Sequence, residues 1–251
     1  MKLFALLAAS LLFAGTMAAQ DSDEPFRGPD RGTSIRVHGI EILPNTGKPF
    51  SGRDHIEWTR TLEGGSVVTT HLYAFLARDS QGRIYREHVN FVPANSNRPS
   101  RRREFDLLDP VAHTRTVCMI ATRRCTISGY YASTSFTPIP AGPLAKGTRY
   151  LTRESLGASV VDDLNAIGTR ETLTINAGVV GNTQPLVTIK EFWFSPDLQV
   201  NLSVTRKDPR EGTQMIHVED LSRSEPDPAV FQVPAGFVVQ DIRRESAKAA
   251  N

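Results

Sequence analysis

The sequence predicts an all-β fold: a curved antiparallel sheet (a half-barrel) or a sandwich, built from successive hairpins with few short helices. Three observations lead there. Apolar and polar residues alternate with period two in segment after segment. Turn-forming runs rich in Gly, Asp, Ser and Pro separate these segments at short intervals. No stretch carries the apolar stripe of an amphipathic helix three turns long.

Residues 1–19 read as a secretory signal peptide. Lys2 is the positive n-region, Leu3 to Phe13 is an apolar run broken only by Ser10, and Ala14 to Ala19 supplies small residues for cleavage. The apolar run is shorter than the ~20 residues of a bilayer span. Residues 20–33, rich in Asp, Gly, Pro and charge, read as a flexible lead-in. Residues 34–242 are expected to form a single all-β domain, and 243–251 a flexible tail.

Within the domain, Ile56, Trp58, Arg60 and Leu62 alternate with Glu57, Thr59 and Thr61. Glu63-Gly64-Gly65-Ser66 reads as a turn and Val67 to Leu76 as the next strand. Asp79-Ser80-Gln81-Gly82-Arg83 is a hairpin signal, with Gly82 at the positive-φ position of a bulged loop. Closing that loop with Asp79 opposite Arg83 sets Ala77 opposite Tyr85, Phe75 opposite Glu87, Tyr73 opposite Val89 and His71 opposite Phe91. All of these then share one face.

Pro93 to Arg103 reads as a basic loop, and Glu104 to Ser128 contains a hairpin bearing Cys118 and Cys125. In an oxidising compartment these two are expected to form a disulfide. Phe136 to Thr148, rich in Pro and Gly, reads as a loop or an edge. Further on, Thr169 to Asn176 alternates and Leu186 to Phe194 reads as a strand. Leu198, Val200, Leu202 and Val204 alternate cleanly with Gln199, Asn201, Ser203 and Thr205. Asp208 to Gly212 is a turn, and Gln214 to Leu221 the returning strand. Short helical pieces are expected near Ala177 to Gly181 and Pro228 to Phe231. The total is roughly nine to eleven antiparallel strands, by the spacing of turn signals.

Composition narrows the function. The chain has 251 residues, 39% of them hydrophobic and 22% charged, enough apolar material for a core. Its formal net charge of +2 argues against a dedicated nucleic-acid binder. Two cysteines exclude a disulfide-dense scaffold and an all-cysteine zinc site. There is no H-E-x-x-H, G-x-S-x-G, P-loop or strand-borne G-x-G-x-x-G motif. The histidines, His38, His55, His71, His88, His113 and His217, show no metal-ligand spacing. No cofactor and no metal are expected. Arg98 to Arg103 is a basic run that reads as a solvated loop or a contact for anionic headgroups. Glu87 and Glu191 each interrupt an apolar strand face. They are either acids paired with arginine or carboxylates of an exported hydrolase.

A family-level resemblance adds to this. Gly168 to Ile175, Glu191-Phe-Trp-Phe-Ser-Pro-Asp-Leu198, Asp208-Pro-Arg210 and Glu225 to Phe237, with the Asp79–Arg83 hairpin, resemble a group of uncharacterised exported bacterial proteins. More distantly, the strand order with a closing Phe231-Gln-Val-Pro-Ala-Gly-Phe237 segment is similar to the periplasmic lipoprotein-carrier superfamily. That second resemblance implies a curved half-barrel that binds acyl chains.

The resulting expectation is a non-enzymatic periplasmic or extracellular protein that binds a hydrophobic or lipidic ligand, or a lipoprotein. The ligand-binding residues are expected to be Tyr73, Phe75, Phe91 and Trp193. The mature chain is expected to carry no integral membrane segment and to bind no nucleic acid. A structural or interaction module of the envelope, and a carboxylate-dependent hydrolase, stand as alternatives.

Overall fold

The computed structural model describes residues 39–131 and 138–243. The signal peptide, the lead-in, residues 34–38, all but the first residue of the tail, and Phe136 and Thr137 lie outside the described residues.

Alternation becomes strand wherever one face can be buried. The first-half strands are Phe50–Thr61 (β1), Val67–Arg78 (β2), Ile84–Val89 (β3), Val92–Pro93 (β4), Arg102–Asp109 (β5), Thr114–Met119 (β6) and Arg124–Gly129 (β7). The second half adds Gly142–Leu144 (β8), Arg149–Val161 (β9), Leu164–Ile175 (β10), Leu186–Ser195 (β11), Val200–Asp208 (β12), Gly212–Ser222 (β13) and Val238–Asp241 (β14). They form one open sheet in the order β14-β7-β6-β5-β3-β2-β1-β13-β12-β11-β10-β9-β8, with β4 beside β2. Two meanders, β1 to β7 and β8 to β13, are joined where β1 pairs antiparallel with β13.

Among the described residues the sheet has 14 strands, more than the turn spacing suggests, and β14 runs parallel to β7. Strand β9 escaped it because β9 is exposed on both faces over most of its length and so carries no alternation. Pro228–Phe231 is a 3₁₀ turn as expected, and a second spans Ala145–Gly147. Ala177 to Gly181 is a turn and not a helix, with Gly178 and Gly181 at φ +82° and +80°.

The hairpin at Asp79 forms as read. The Asp79 carboxylate accepts from the backbone N–H of Gln81 at 3.0 Å and of Arg83 at 2.8 Å, and from Arg83 Nε at 2.6 Å. Gly82 has φ +84°, and a Cβ there would meet Pro44 O at 2.6 Å. The register holds for Ala77 opposite Tyr85 but slips further along. His71 pairs with Val92, not Phe91. Between the Leu76–Arg86 and His71–Val92 pairs the β3–β4 side holds one residue more than β2, and a one-residue slip sends a side chain to the other face.

Both faces are packed. On one, Phe50, Ile56, Leu72, Leu76, Leu202 and Val204 form the larger cluster, with Ile40 and Ile42 laid across them from the segment before β1. Arg78, fully buried, ties that segment down. Its guanidinium donates to Lys48 O at 3.0 and 2.9 Å, to Leu43 O at 2.8 Å, and to Leu198 O. On the opposite face, Ala77, Tyr85, Phe105 and the Cys118–Cys125 disulfide form a second cluster. Val230, Phe231, Val233 and Phe237 of the C-terminal segment cover it. The two cysteines sit directly opposite each other on β6 and β7, so the bond closes the hairpin as the spacing suggested.

Candidate functional site

The four aromatic residues marked in the sequence occupy separate environments. Phe75 packs into the second cluster beneath the C-terminal segment. Tyr73 is 37% exposed and stacks on His55 with ring centroids 4.4 Å apart. Phe91 lies 6.0 Å from the Trp58 ring, and Trp193 packs against the larger cluster. The Trp193 ring covers Gly168, where a Cβ would approach it to 2.8 Å. These side chains do not converge on one cavity.

The acid pair also separates. Glu87 on β3 is bound by Arg102 at 2.8 Å and by the Tyr85 hydroxyl at 3.0 Å, and accepts from Phe75 N–H at 3.1 Å. Glu191 on β11 is bound by Arg170 Nε at 2.7 Å. Strands β2, β1, β13 and β12 stand between β3 and β11. A two-carboxylate hydrolase therefore has no site built from these residues.

His88, Glu104 and Asp106 bring their ligand atoms within 4.8 Å of one another. Arg115 Nη2 already lies 2.9 Å from Asp106 Oδ2, with His88 Nε2 at 3.3 Å. Burial alone would raise the Asp106 carboxyl, but His88, Arg115 and Arg86 together hold it below the usual carboxylate range. This is an ion-pair cluster in which guanidinium already supplies the positive charge.

The most unusual chemistry lies at the far end of the larger face. Cross-strand pairing aligns Trp58, Gln214, Arg206, Lys190, Glu171 and Arg153 in one row over β1, β13, β12, β11, β10 and β9. Lys190 is 1% exposed and Arg206 0%. Arg153 binds Glu171 through Nε at 2.8 Å and through Nη2. Beside the row, Asp208 ends β12. Its carboxylate accepts from Thr188 Oγ1 at 2.8 Å, Arg206 Nη2 at 2.6 Å, and Arg210 through N, Nε and Nη2 at 2.8, 3.0 and 2.8 Å. Burial would raise this carboxyl. The hydrogen bonds from Arg210 and Thr188 and the charge of Arg206 hold it far below the usual range instead.

One carboxylate is thus shared by two guanidiniums, and Arg206 keeps unpaired Nε and Nη1 groups. An unpaired buried donor costs about 1–3 kcal/mol, and more when charged. Burial, reinforced by the neighbouring Arg206 charge, pushes Lys190 down to about 7, while Asp208 pulls the other way.

The turn after β12 lines an open groove. Trp58 Nε1–H donates to Glu211 O at 2.6 Å, pinning the turn to β1. Gly212 has φ +84°, and a Cβ there would meet Thr59 O at 2.1 Å, so the close approach requires glycine. The groove encloses about 560 Å³. Its lining mixes the aliphatic Leu62, Val187 and Ile189 with the cationic Arg60, Lys207 and Arg210, Ile189 lying directly beside Lys207. Asp208 lines it too, while Lys190 and Arg206 of the row point to the opposite face of the sheet from Ile189 and Lys207. That volume falls within the range of sites for drug-sized ligands.

The sequence reading stopped the alternation of β12 at Val204. Arg206 and Asp208 continue the same even phase, and that parity was the available signal of their burial.

No family model and no curated protein matches the chain. Among solved structures it is similar to an uncharacterized conserved protein from Thermus thermophilus, at 12% identity and TM-score 0.41, over 77% of this chain and 90% of that one. It is similar to MucB at 14% identity and TM-score 0.35, over 78% of this chain and 61% of MucB, so it spans about three-fifths of that protein. It is also similar to the lipoprotein LppX of Mycobacterium tuberculosis, at 12% identity and TM-score 0.26, over 70% of this chain and 88% of that one. No function follows from likenesses at these scores.

Proposed function

We propose that the protein is a non-enzymatic component of the cell envelope that binds a single amphiphilic, lipid-like molecule. The groove beside the Asp208–Gly212 turn carries this reading. It is lined by the aliphatic Leu62, Val187 and Ile189 together with the cationic Arg60, Lys207 and Arg210. An amphiphile offers both an apolar and a polar part to such a lining. The middle of the larger face is filled by the protein's own Ile40, Ile42, Phe50 and Leu202, so the ligand belongs at the end of the sheet and not at its centre. The N-terminal pattern of Lys2, the apolar run to Phe13 and the small residues after it supports export. No helix among the described residues is long and apolar enough to cross a membrane.

Native mass spectrometry of the exported protein, followed by lipid extraction, tests the reading. The expected result is a bound amphiphile at one per chain, lost when Ile189→Glu places a charge among the aliphatic lining residues. A protein that leaves the envelope ligand-free, and takes up no long-chain amphiphile when offered one, overturns it.

A second reading, an interaction module, draws on β9. Among the described residues its outer edge is paired only at Arg149–Leu151, by β8, and a free strand edge can accept another strand. Cross-linking from Ser155 and Ser159 tests it, with a reproducible protein partner expected and none contradicting it.

A further inference from the structure

We infer that one rim of the sheet docks on an anionic phospholipid bilayer, with the Val179–Val180 turn entering the interface and Arg98, Arg101, Arg123 and Lys146 meeting lipid phosphates. The inference goes beyond the amphiphile reading and does not rest on it.

The strand registers define this rim. Thr61 at the end of β1 pairs with Val67 at the start of β2, and Thr59 pairs with Thr213 near the start of β13. Asp208 at the end of β12 pairs with Gly212. Ile175 at the end of β10 pairs with Leu186 at the start of β11 and with Arg149 at the start of β9. Strand β3 runs antiparallel to β2, so it ends where β2 starts, and its Val89 pairs with Arg102 at the start of β5. Met119 at the end of β6 pairs with Arg124 at the start of β7. The connections that follow or precede these residues therefore leave the sheet on one rim. The groove residues Arg60, Leu62, Val187 and Arg210 lie on it as well.

Charge is sorted between this rim and the opposite one. The connections here expose Arg98, Arg101, Arg123 and Lys146, none of them in an ion pair among the described residues, against the acids Glu63 and Glu211. On the opposite rim, the β9–β10 and β11–β12 connections expose Asp162, Asp163 and Asp197. The Asp79–Arg83 turn on that side neutralises itself through its own ion pair. The formal net charge of +2 conceals this separation. A field sorted in this way draws one rim toward an anionic surface and turns the other away.

The same rim offers apolar surface. The β10–β11 connection, residues 176–185, holds no charged residue. At its tip Val179 is 37% and Val180 50% exposed. Asn182 braces that tip. Its Oδ1 accepts from Val180 N–H at 3.1 Å and its backbone O from Gly178 N–H at 2.7 Å, while Nδ2 donates to Asn176 O at 2.9 Å and Gln184 O at 2.7 Å. Two valines are thus held in water by a hydrogen-bonded turn. Leu62 and Val67, both exposed, flank the β1–β2 connection on the same rim. Aliphatic tips together with unpaired cations suit a membrane interface, where apolar entry and phosphate attraction act together. A nucleic acid would use the cations and leave the valines without a role.

Vesicle flotation of the exported protein tests the inference. The probes are vesicles of phosphatidylcholine alone and of an equal mixture with phosphatidylglycerol. Partitioning onto the anionic vesicles is expected to exceed that onto the neutral ones at least about tenfold, and to weaken as salt is raised. The triple variant Arg98→Gln, Arg101→Gln, Arg123→Gln is expected to remove most of that preference. Val179→Asp with Val180→Asp is expected to lower binding at least about fivefold. Val111→Asp, at an exposed valine on the opposite rim, is expected to leave it unchanged. Equal partitioning onto both vesicles overturns the inference, as does a preference that survives the triple variant or a loss as large in Val111→Asp as in the Val179, Val180 variant. A chain that carries an amphiphile by native mass spectrometry and ignores both vesicles overturns the docking and leaves the amphiphile reading standing. A chain that docks without carrying one does the reverse.

Discussion

The two ends of the sheet bury opposite kinds of matter. On β2 to β7, Ala77, Tyr85, Phe105 and the disulfide are sealed by Phe231, Val233 and Phe237 of the C-terminal segment. On β10 to β12, the sheet instead buries Arg206, Lys190, Glu171 and Asp208. The first arrangement stabilises: removal of apolar surface from water is the dominant favourable contribution to folding. The second contributes little, because the desolvation of ions offsets most of their attraction. What teaches most is that Arg206 retains unpaired donors there, while at the sealed end Arg102 has its acceptor in Glu87. One end is sealed by apolar packing, and the other buries charge.

The comparison can be broken most severely from either side. Phe105→Ala opens a cavity in the sealed cluster and is expected to cost about 3–5 kcal/mol in urea unfolding, with amphiphile affinity per folded molecule unchanged. Asp208→Asn strands Arg206 and Arg210 without their carboxylate. It is expected to cost a similar ~3–5 kcal/mol, but to alter ligand affinity as well. If both variants changed affinity equally, the division into a structural end and a binding end would fail.

A smaller effect sharpens the boundary between them. Asp54, on the larger face near the first cluster, is buried and raised to about 6. Burial is the cause, opposed by the Ile40 N–H and by Arg86. A raised carboxyl contributes stability that is full below the unfolded value near 4 and is lost as pH rises through 6. Asp54→Asn keeps an acceptor for Ile40 and removes the penalty. It is expected to stabilise the protein above pH 6 by up to about 3 kcal/mol and to flatten the loss between pH 4 and 6. Unfolding curves at pH 4.5 and 8 check it, and a variant no more stable than the parent at pH 8 contradicts it.

Smallest is the disulfide. Replacing Cys118 and Cys125 by alanine is expected to cost at most about 2.5 kcal/mol, since the loop they close is short. It should leave binding at the other end intact.

Much of the scaffold was legible in the sequence because it is local. The Asp79–Arg83 turn carries its own side-chain cap, and the pairing of Cys118 with Cys125 follows from a hairpin. The buried residues of β12 from Val200 to Val204 follow from parity. What was hidden depends on partners across strands. Phe91 changes face because the β3–β4 side gains one residue against β2, which no periodicity announces. The row is assembled from six strands, four of which contribute its charges, and each residue reads locally as an ordinary strand residue. Glu87 and Glu191 looked unusual in one dimension and prove ordinary once Arg102 and Arg170 are beside them. Arg206 is the converse.

The most direct test of the division between the two ends is hydrogen exchange on the full chain, with and without saturating dodecyl phosphate. The account predicts slowed exchange in peptides covering Leu186 to Thr213, and none in those covering Tyr73 to Phe105. Protection centred on Tyr73 and Phe75, with Leu186 to Thr213 unchanged, would contradict it.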